Sequence, residues 1–423
     1  MRILHLVHQY PPEFVGGTEL VTETLAGEQV KQGHRVSVFY PSPAARQDVL
    51  AGKSSSETGV RVYAAPMAGE ESSRTRIFLN TFREPDLSAA FGRVLAETQP
   101  DLVHIQHLMG LPASLVRQIR QANVPYVVTL HDYWFPCANA QLLTNYDQTV
   151  CAGPRWWVNC GRCTLARAGR DSRLLGPALA PLLAARARLL RPVLAQAAAI
   201  IAPTHFVRQT YAELGLPSDK ITVIPHGIEP PPEPASPKSS HRPGTLNIAY
   251  VGGIAHQKGV QVLVEAVNGL PEEGVTLTVY GNLDSHPDFA ARLQALARHP
   301  GIRFPGRVAR DALWAGLAEA DVLAVPSLWY ETAALVIQEG FAAGLPVLAS
   351  DLGALRERVQ DGVDGLLLPA GDVAAWRKAL RRLRDEPELW SQLRRGIRPV
   401  RTLDENVADI MDIYAQVLNP FSG

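Results

Sequence analysis

Glu331 and Glu339 stand with seven residues between them in the stretch Pro326–Asp351. Glu331 falls where a loop ends. Ala333–Ala343 is a good helix-forming run, and Gly344 followed by Pro346 stops it. The amides of Thr332, Ala333, Ala334 and Leu335 are therefore expected in the first helical turn, unpaired within the helix and at its positive end. Such a turn binds phosphate readily. At ~1.5 Å rise per residue the two carboxylates lie roughly 12 Å apart along the axis, about the length of a pyrophosphate with a sugar on each side. Two solvated surface charges are the bland alternative. The setting weighs against it, because strand–loop–helix–strand units of this apolar kind are buried and a buried carboxylate needs partners.

Other residues extend the same chemistry. Gly252-Gly253 is followed by His256-Gln257-Lys258-Gly259, and Lys258 at the mouth of that loop suits phosphate oxygens as a point charge. A solvated lysine is the alternative. His131 follows the apolar run Tyr126–Leu130, at a strand's carboxyl end, where parallel sheets bind ligands. Gly16-Gly17 permits close approach of backbone to a ligand, although an ordinary turn explains two glycines equally well. Cys137, Cys151, Cys160 and Cys163 are the only cysteines, and Cys160-Gly-Arg-Cys163 has the spacing of a zinc knuckle. A structural Zn²⁺ is the leading expectation for them, with unliganded thiols and a disulfide or cluster as alternatives.

These residues need elements to hold them. The chain has 423 residues, too many for one ordinary core, so two domains are expected. Lys plus Arg and Asp plus Glu number 41 each, and that balance predicts no nucleic-acid partner. Locally, Arg162–Arg191 and Arg377–Arg401 are strongly basic; these are solvated helix faces by default, or surfaces that lean on an anionic membrane. No secretory signal or clean ~20-residue apolar span is visible, so the cytoplasm is expected, with membrane contact at most peripheral. Arg2–His8, a glycine loop, a helix to about Gln32 and Val36–Phe39 open a doubly wound sheet without the G-x-G-x-x-G fingerprint. A Pro/Ser-rich linker at 226–245 precedes a second such unit beginning at Leu246, and an amphipathic helix, Asp404–Leu418, closes the chain. No D-x-D triplet occurs to hold a divalent metal on a diphosphate.

Assembled, the motifs resemble those of the retaining glycosyltransferases of family 4, which have the GT-B fold. They are Gly16-Gly17, Thr129–Trp134, Val223–Ile228, Gly252–Gly259, Pro326-Ser327 through Glu331 and Glu339 to Val347, and Asp361–Gly365. The resemblance implies two Rossmann-like α/β domains facing across a cleft: residues 1–225 with the returning helix 403–423, and residues 246–402. It implies that Glu331 binds sugar hydroxyls and Glu339 the ribose. Lys258 and the amides of Thr332–Leu335 hold the diphosphate, Val308 contacts the base, and His131 reaches the sugar. Gly16, Gly17 and Gly253 line the phosphate side. The expected reaction moves a hexose from a UDP- or GDP-sugar to a hydroxyl acceptor (a glycan, a lipid-linked glycan or a small molecule), by front-face attack with no metal cofactor. A sugar-nucleotide epimerase and a non-catalytic relative are the rivals. Gly253 departs from the family pattern, which usually has arginine there; His256 and Arg307 are candidates to substitute for it.

Overall fold

Runs such as Leu102–Ile105, Val322–Val325 and Val347–Ser350 are buried at every position, as strands covered on both faces must be. In the computed structural model, which describes residues 1–45, 58–67, 74–216, 218–231 and 242–419 and the backbone of 53–54, the strands form two sheets. The first holds β1 (Arg2–Leu6), β2 (Arg35–Ser42), β3 (Lys53–Ser54), β4 (Arg61–Pro66), β5 (Leu102–Ile105), β6 (Tyr126–Thr129), β7 (Ala199–Ala202) and β8 (Ile221–Val223). Its order is β3-β4-β2-β1-β5-β6-β7-β8, parallel except for the short β3–β4 pair. The chain starts at the centre, winds out to β4, and returns to β5 on the other side of β1. The loops after β1 and β5 therefore open at the sheet's crossover, where doubly wound folds bind ligands.

The second sheet repeats this plan with β9 (Leu246–Val251), β10 (Val275–Tyr280), β11 (Ile302–Gly306), β12 (Val322–Val325), β13 (Val347–Ser350) and β14 (Gly365–Leu368). Its order is β11-β10-β9-β12-β13-β14, all parallel. Its crossover lies between β9 and β12. Lys258 follows the first of these strands and Glu331 the second.

Two compact units result. One comprises Met1–Asp147, Cys151–His226 and the chain from Leu403; the other comprises Gln148–Val150 and Gly227–Thr402. Ile228 bridges Thr402, so the chain enters the second unit at Gly227 and leaves it after Thr402 side by side. Half of the expected linker, 232–241, lies outside the described residues. The last helix, Leu403–Leu418, lays Val407, Ile410, Ile413 and Tyr414 into the first unit's core beside Leu25, Val36 and Val127. Each such burial contributes about 1.5–3 kcal/mol.

Candidate active site

The second unit's crossover brings Lys258 and Glu331 into direct contact. Lys258 Nζ donates to Glu331 Oε1 at 2.8 Å and Oε2 at 3.1 Å. Ser327 Oγ (2.7 Å) and Trp329 Nε1 (2.8 Å) also donate to Oε1, and the lysine lies 5.0 Å from the Trp329 ring centroid. Glu331 is 8% exposed. Burial alone would raise its pKa, but the Lys258 charge and the hydrogen bonds from Lys258, Ser327 and Trp329 outweigh it and hold the carboxyl below its ordinary range. An ionised carboxylate only accepts hydrogen bonds, so it suits hydroxyl groups. Oε2 accepts from Lys258 alone among the described residues, which leaves it a lone pair for one.

Backbone geometry fixes the pair. Gly259 has φ +71°, and a Cβ there would stand 1.8 Å from the Pro326 carbonyl oxygen. Leu328 N–H donates to Gln257 O at 2.8 Å, tying the two loops together again. Only glycine permits both the left-handed turn and this approach. Gly253 is different: a Cβ would meet nothing within 4 Å, so packing does not demand glycine. The two expected substitutes for the family's arginine are both exposed. His256 has its ring 6.3 Å from that of Phe289, and Arg307 follows Gly306 at the end of β11.

The helix after Glu331 starts later than its sequence suggests. It spans Leu335–Ala342, with Ala334 left-handed at its N-cap (φ 48°, ψ 54°). Thr332 and Ala333 lie in the approach loop, so the first-turn placement of their amides is corrected. The axial rise therefore applies only from Leu335 onward, and the 12 Å separation cannot be taken from it. Alanine's helix propensity is overridden by a backbone reversal that costs roughly 1–2 kcal/mol. A left-handed residue followed by a right-handed one makes successive N–H groups converge into an anion-binding concavity, which replaces the expected regular turn. Glu339 sits in this helix and is paired: Arg310 Nη1 lies 2.6 Å from its Oε1. Val308 is half-buried, two residues past Gly306.

His131, Gly16 and Gly17 belong to the first unit. His131 Nε2 donates to Gln106 Oε1 at 2.7 Å, and its ring stacks 5.3 Å from that of His226. Burial, then the neighbouring histidines His226, His107, His104 and His8, push its pKa well below the ordinary value, so it is neutral near pH 7. Gln106 continues inward. Its Nε2 donates to His5 Nδ1 and His104 Nδ1, both at 3.1 Å, while Tyr414 of the last helix meets His104 Nδ1 at 2.5 Å. A buried polar chain thus runs from the terminal helix to His131. Arg186 holds the following loop from below, donating to Trp134 O at 2.7 Å and Phe135 O at 3.3 Å.

Gly16 is the N-cap of the Gly17–Lys31 helix, and a Cβ on it would lie 2.5 Å from Glu19 Oε2. Glu19 reaches back to the Gly16 N–H, the reciprocal half of a capping box, and pairs with His8 Nε2 at 3.3 Å. One amide at this turn is thus already occupied by the protein's own carboxylate.

The four cysteines are free and half-buried. Burial and the other three thiols push Cys160 up to about 12; burial, with smaller contributions from Cys137 and Cys151, takes Cys163 to about 11. Asn145 N–H donates to Cys163 Sγ at 3.3 Å and Gly153 N–H to Cys151 Sγ at 3.4 Å. They share a neighbourhood, but among the described residues no three His, Cys, Asp or Glu side chains are arranged to hold a metal ion.

Comparison with known proteins now decides the family. The Glycosyltransferase Family 4 pattern matches residues 15–230, and that of Glycosyl transferases group 1 matches residues 245–386. The chain belongs to glycosyltransferase family 4. It is 28% identical to a D-inositol 3-phosphate glycosyltransferase of Xylanimonas cellulosilytica, over 77% of this chain and 86% of that protein. It is also 28% identical to a glycogen synthase of Mycobacterium tuberculosis, over 99% of this chain and 94% of that protein. Among solved structures, the sucrose-phosphate synthase of Thermosynechococcus elongatus superposes with a TM-score of 0.74 at 19% identity, covering 99% of each chain. Anabaena HepE in complex with UDP and glucose superposes at 0.66 and 17% identity, over 98% of this chain and all of that one. These likenesses establish the GT-B fold.

For this family 4 glycosyltransferase, the sequence reading missed Ser327 and Trp329 as partners of Glu331, Arg310 as partner of Glu339, and Gln106 behind His131. It also missed Glu19, although a glutamate three residues after an N-cap glycine is a readable capping signal. Among the described residues no helix is long and apolar enough to cross a membrane.

Proposed function

We propose that the enzyme transfers a hexose from a nucleoside diphosphate sugar to a hydroxyl acceptor with retention of configuration. The observation that carries this reading is the Lys258–Glu331 pair at the β9–β12 crossover. Lysine has three N–H donors and spends two on Glu331. The third, with the concavity at Ala334–Leu335, is available to a diphosphate, and charge developing on that leaving group would be stabilised there. Glu331 Oε2 takes a sugar hydroxyl. Its partners make Glu331 a poor nucleophile, which supports front-face attack with the departing diphosphate accepting the acceptor's proton. Glu339 takes the ribose hydroxyls by sharing or exchanging Arg310, with Val308 at the base. His131, neutral and with its Nε2–H given to Gln106, serves as a hydrogen-bond acceptor towards the sugar.

A UDP-sugar is the first choice, because the similar HepE structure contains UDP and glucose; a GDP-sugar is the second. A thermal-shift panel of UDP-, GDP- and ADP-sugars tests this. At one hundred times its Kd the true donor is expected to raise the second unit's melting point by roughly 5–10 °C. It should also release free nucleoside diphosphate when an acceptor is present. A panel with no shift and no release would overturn the reading, and an acceptor-independent sugar product would make the enzyme an epimerase.

The proposal gives the transfer step no metal and gives the cysteine loop a structural zinc. Support comes from the shared neighbourhood of the thiols and the N–H groups aimed at Cys151 and Cys163. Closing the site requires the thiols to turn towards one point and lose their protons. Metal analysis of the purified protein is expected to give about one equivalent of zinc. Less than about half an equivalent would leave four unliganded thiols.

A further inference from the structure

The segment between the cysteine loop and β7 carries a surface that the sugar-transfer reading does not use. Trp156 is 88% exposed and Leu174 91%. Tryptophan is among the most buried residues on average, so such exposure is informative. It is also held in place. Trp156 and Trp157 are both left-handed, at φ 52° and 59°, a conformation that bulky residues rarely adopt. Asn159 locks the turn by accepting from Arg155 N–H at 2.7 Å and donating to Gly153 O at 3.0 Å.

The apolar residues gather near one point. Gly161 in the helix Val158–Arg167 and Gly176 at the start of the helix Gly176–Ala195 approach so closely that a Cβ on Gly161 would lie 2.0 Å from Gly176 O. Trp156 is five residues from that contact, and Leu174 and Leu175 precede it directly. Positive charge is concentrated in the same segment. From Arg155 to Arg191 the sequence has eight arginines and one acid, Asp171, which is committed to Arg162 at 2.7 Å. Arg155, Arg170, Arg188 and Arg191 are exposed and form no ion pair among the described residues. Arg188 and Arg191 also border a hollow of about 460 Å³ lined by Phe135, Trp157, Leu190 and Leu194.

We propose that this surface docks the enzyme on an anionic lipid bilayer, with Trp156, Leu174 and Leu175 entering the interface and the unpaired arginines facing lipid phosphates. Amphipathic insertion and cationic attraction act together in such binding, and neither alone anchors a protein stably. A protein partner would have to supply an acidic rim around an apolar centre. A bilayer supplies both layers without further assumption. The inference is independent of which sugar donor is used.

Flotation of the full-length protein with vesicles tests it. Binding is expected to vesicles of phosphatidylcholine mixed equally with phosphatidylglycerol, and not to phosphatidylcholine alone. The variant Trp156→Asn/Leu174→Ser/Leu175→Ser keeps a residue that tolerates the left-handed turn and is expected to bind at least roughly tenfold less. Arg170→Glu/Arg188→Glu/Arg191→Glu should lose binding similarly, and added salt should release the wild type. Both variants should keep the wild-type melting point and donor-induced shift. Equal binding by wild type and variants, or no binding to the anionic vesicles, would overturn the proposal. A concentration-dependent dimer of the wild type that the first variant abolishes would also overturn it, by assigning the surface to a second copy of the chain.

Discussion

Lys258→Met is expected to slow transfer by at least about a hundredfold and to destabilise the protein, and adding Glu331→Gln is expected to restore the stability but not the activity. Glu331 is buried and ionised, and Lys258 supplies its compensating charge. Removing the lysine leaves a buried carboxylate with only the neutral donors Ser327 and Trp329, at a cost of about 3 kcal/mol. The double variant removes both charges and most of that penalty. Glu331→Gln alone leaves a lysine that is 30% exposed and reaches water, so its cost is nearer 1 kcal/mol. Turnover responds differently. Each single variant and the double variant should lose roughly a hundredfold to a thousandfold, because each removes a group aimed at the diphosphate or the sugar. Chemical denaturation and donor-turnover assays read the two effects separately. Wild-type turnover in either single variant would sink the site assignment.

The pair also sets a pH dependence. The folded pKa of Glu331 lies below its ordinary value of 4.5. Its stabilising contribution is therefore complete above that value and fades as pH falls through the lowered one. In Lys258→Met the charge that lowers it is gone and burial, the largest influence on this carboxyl, takes over, so the sign reverses: the variant's stability deficit against wild type should shrink as pH falls and Glu331 takes up a proton.

Much of this fold is legible because strands buried on both faces leave continuous apolar runs. Leu246–Val251 and Val322–Val325 stand in the sequence as they stand in the sheet. The strands that sequence reading missed are of another kind. Arg61–Pro66 lies towards the sheet's edge with alternating exposure, and Gly365–Leu368 is a four-residue strand directly after a turn-rich motif. The site divides in the same way. Lys258 and Glu331 are readable because each follows a strand at a crossover. Arg310 is not, because its partner lies 29 residues away and nothing in the spacing announces the meeting. Ala334 misleads for a further reason: alanine favours helix locally, whereas the turn into Leu335 requires a left-handed residue there.

Gly259→Ala is expected to be the most damaging single-methyl change in the second unit, although no reacting group is altered. The new Cβ would stand 1.8 Å from Pro326 O and 2.7 Å from Pro326 C, both backbone atoms that cannot rotate away. The φ of +71° adds the left-handed cost of roughly 1–2 kcal/mol, and overpacking adds about 1–3 kcal/mol. A total near 3 kcal/mol should lower the melting point by roughly 6–12 °C. The strain also acts on function, because the only way to relieve it is to separate the loop bearing Lys258 from the loop bearing Glu331. A displacement of about 1 Å there should cost about a hundredfold in turnover. Gly253→Ala, six residues earlier in the same loop, is the control: its Cβ would meet nothing within 4 Å, so its stability should stay within about 0.5 kcal/mol of wild type. If the two variants melted together, the close approach of Gly259 to Pro326 would not be what holds the lysine against the glutamate.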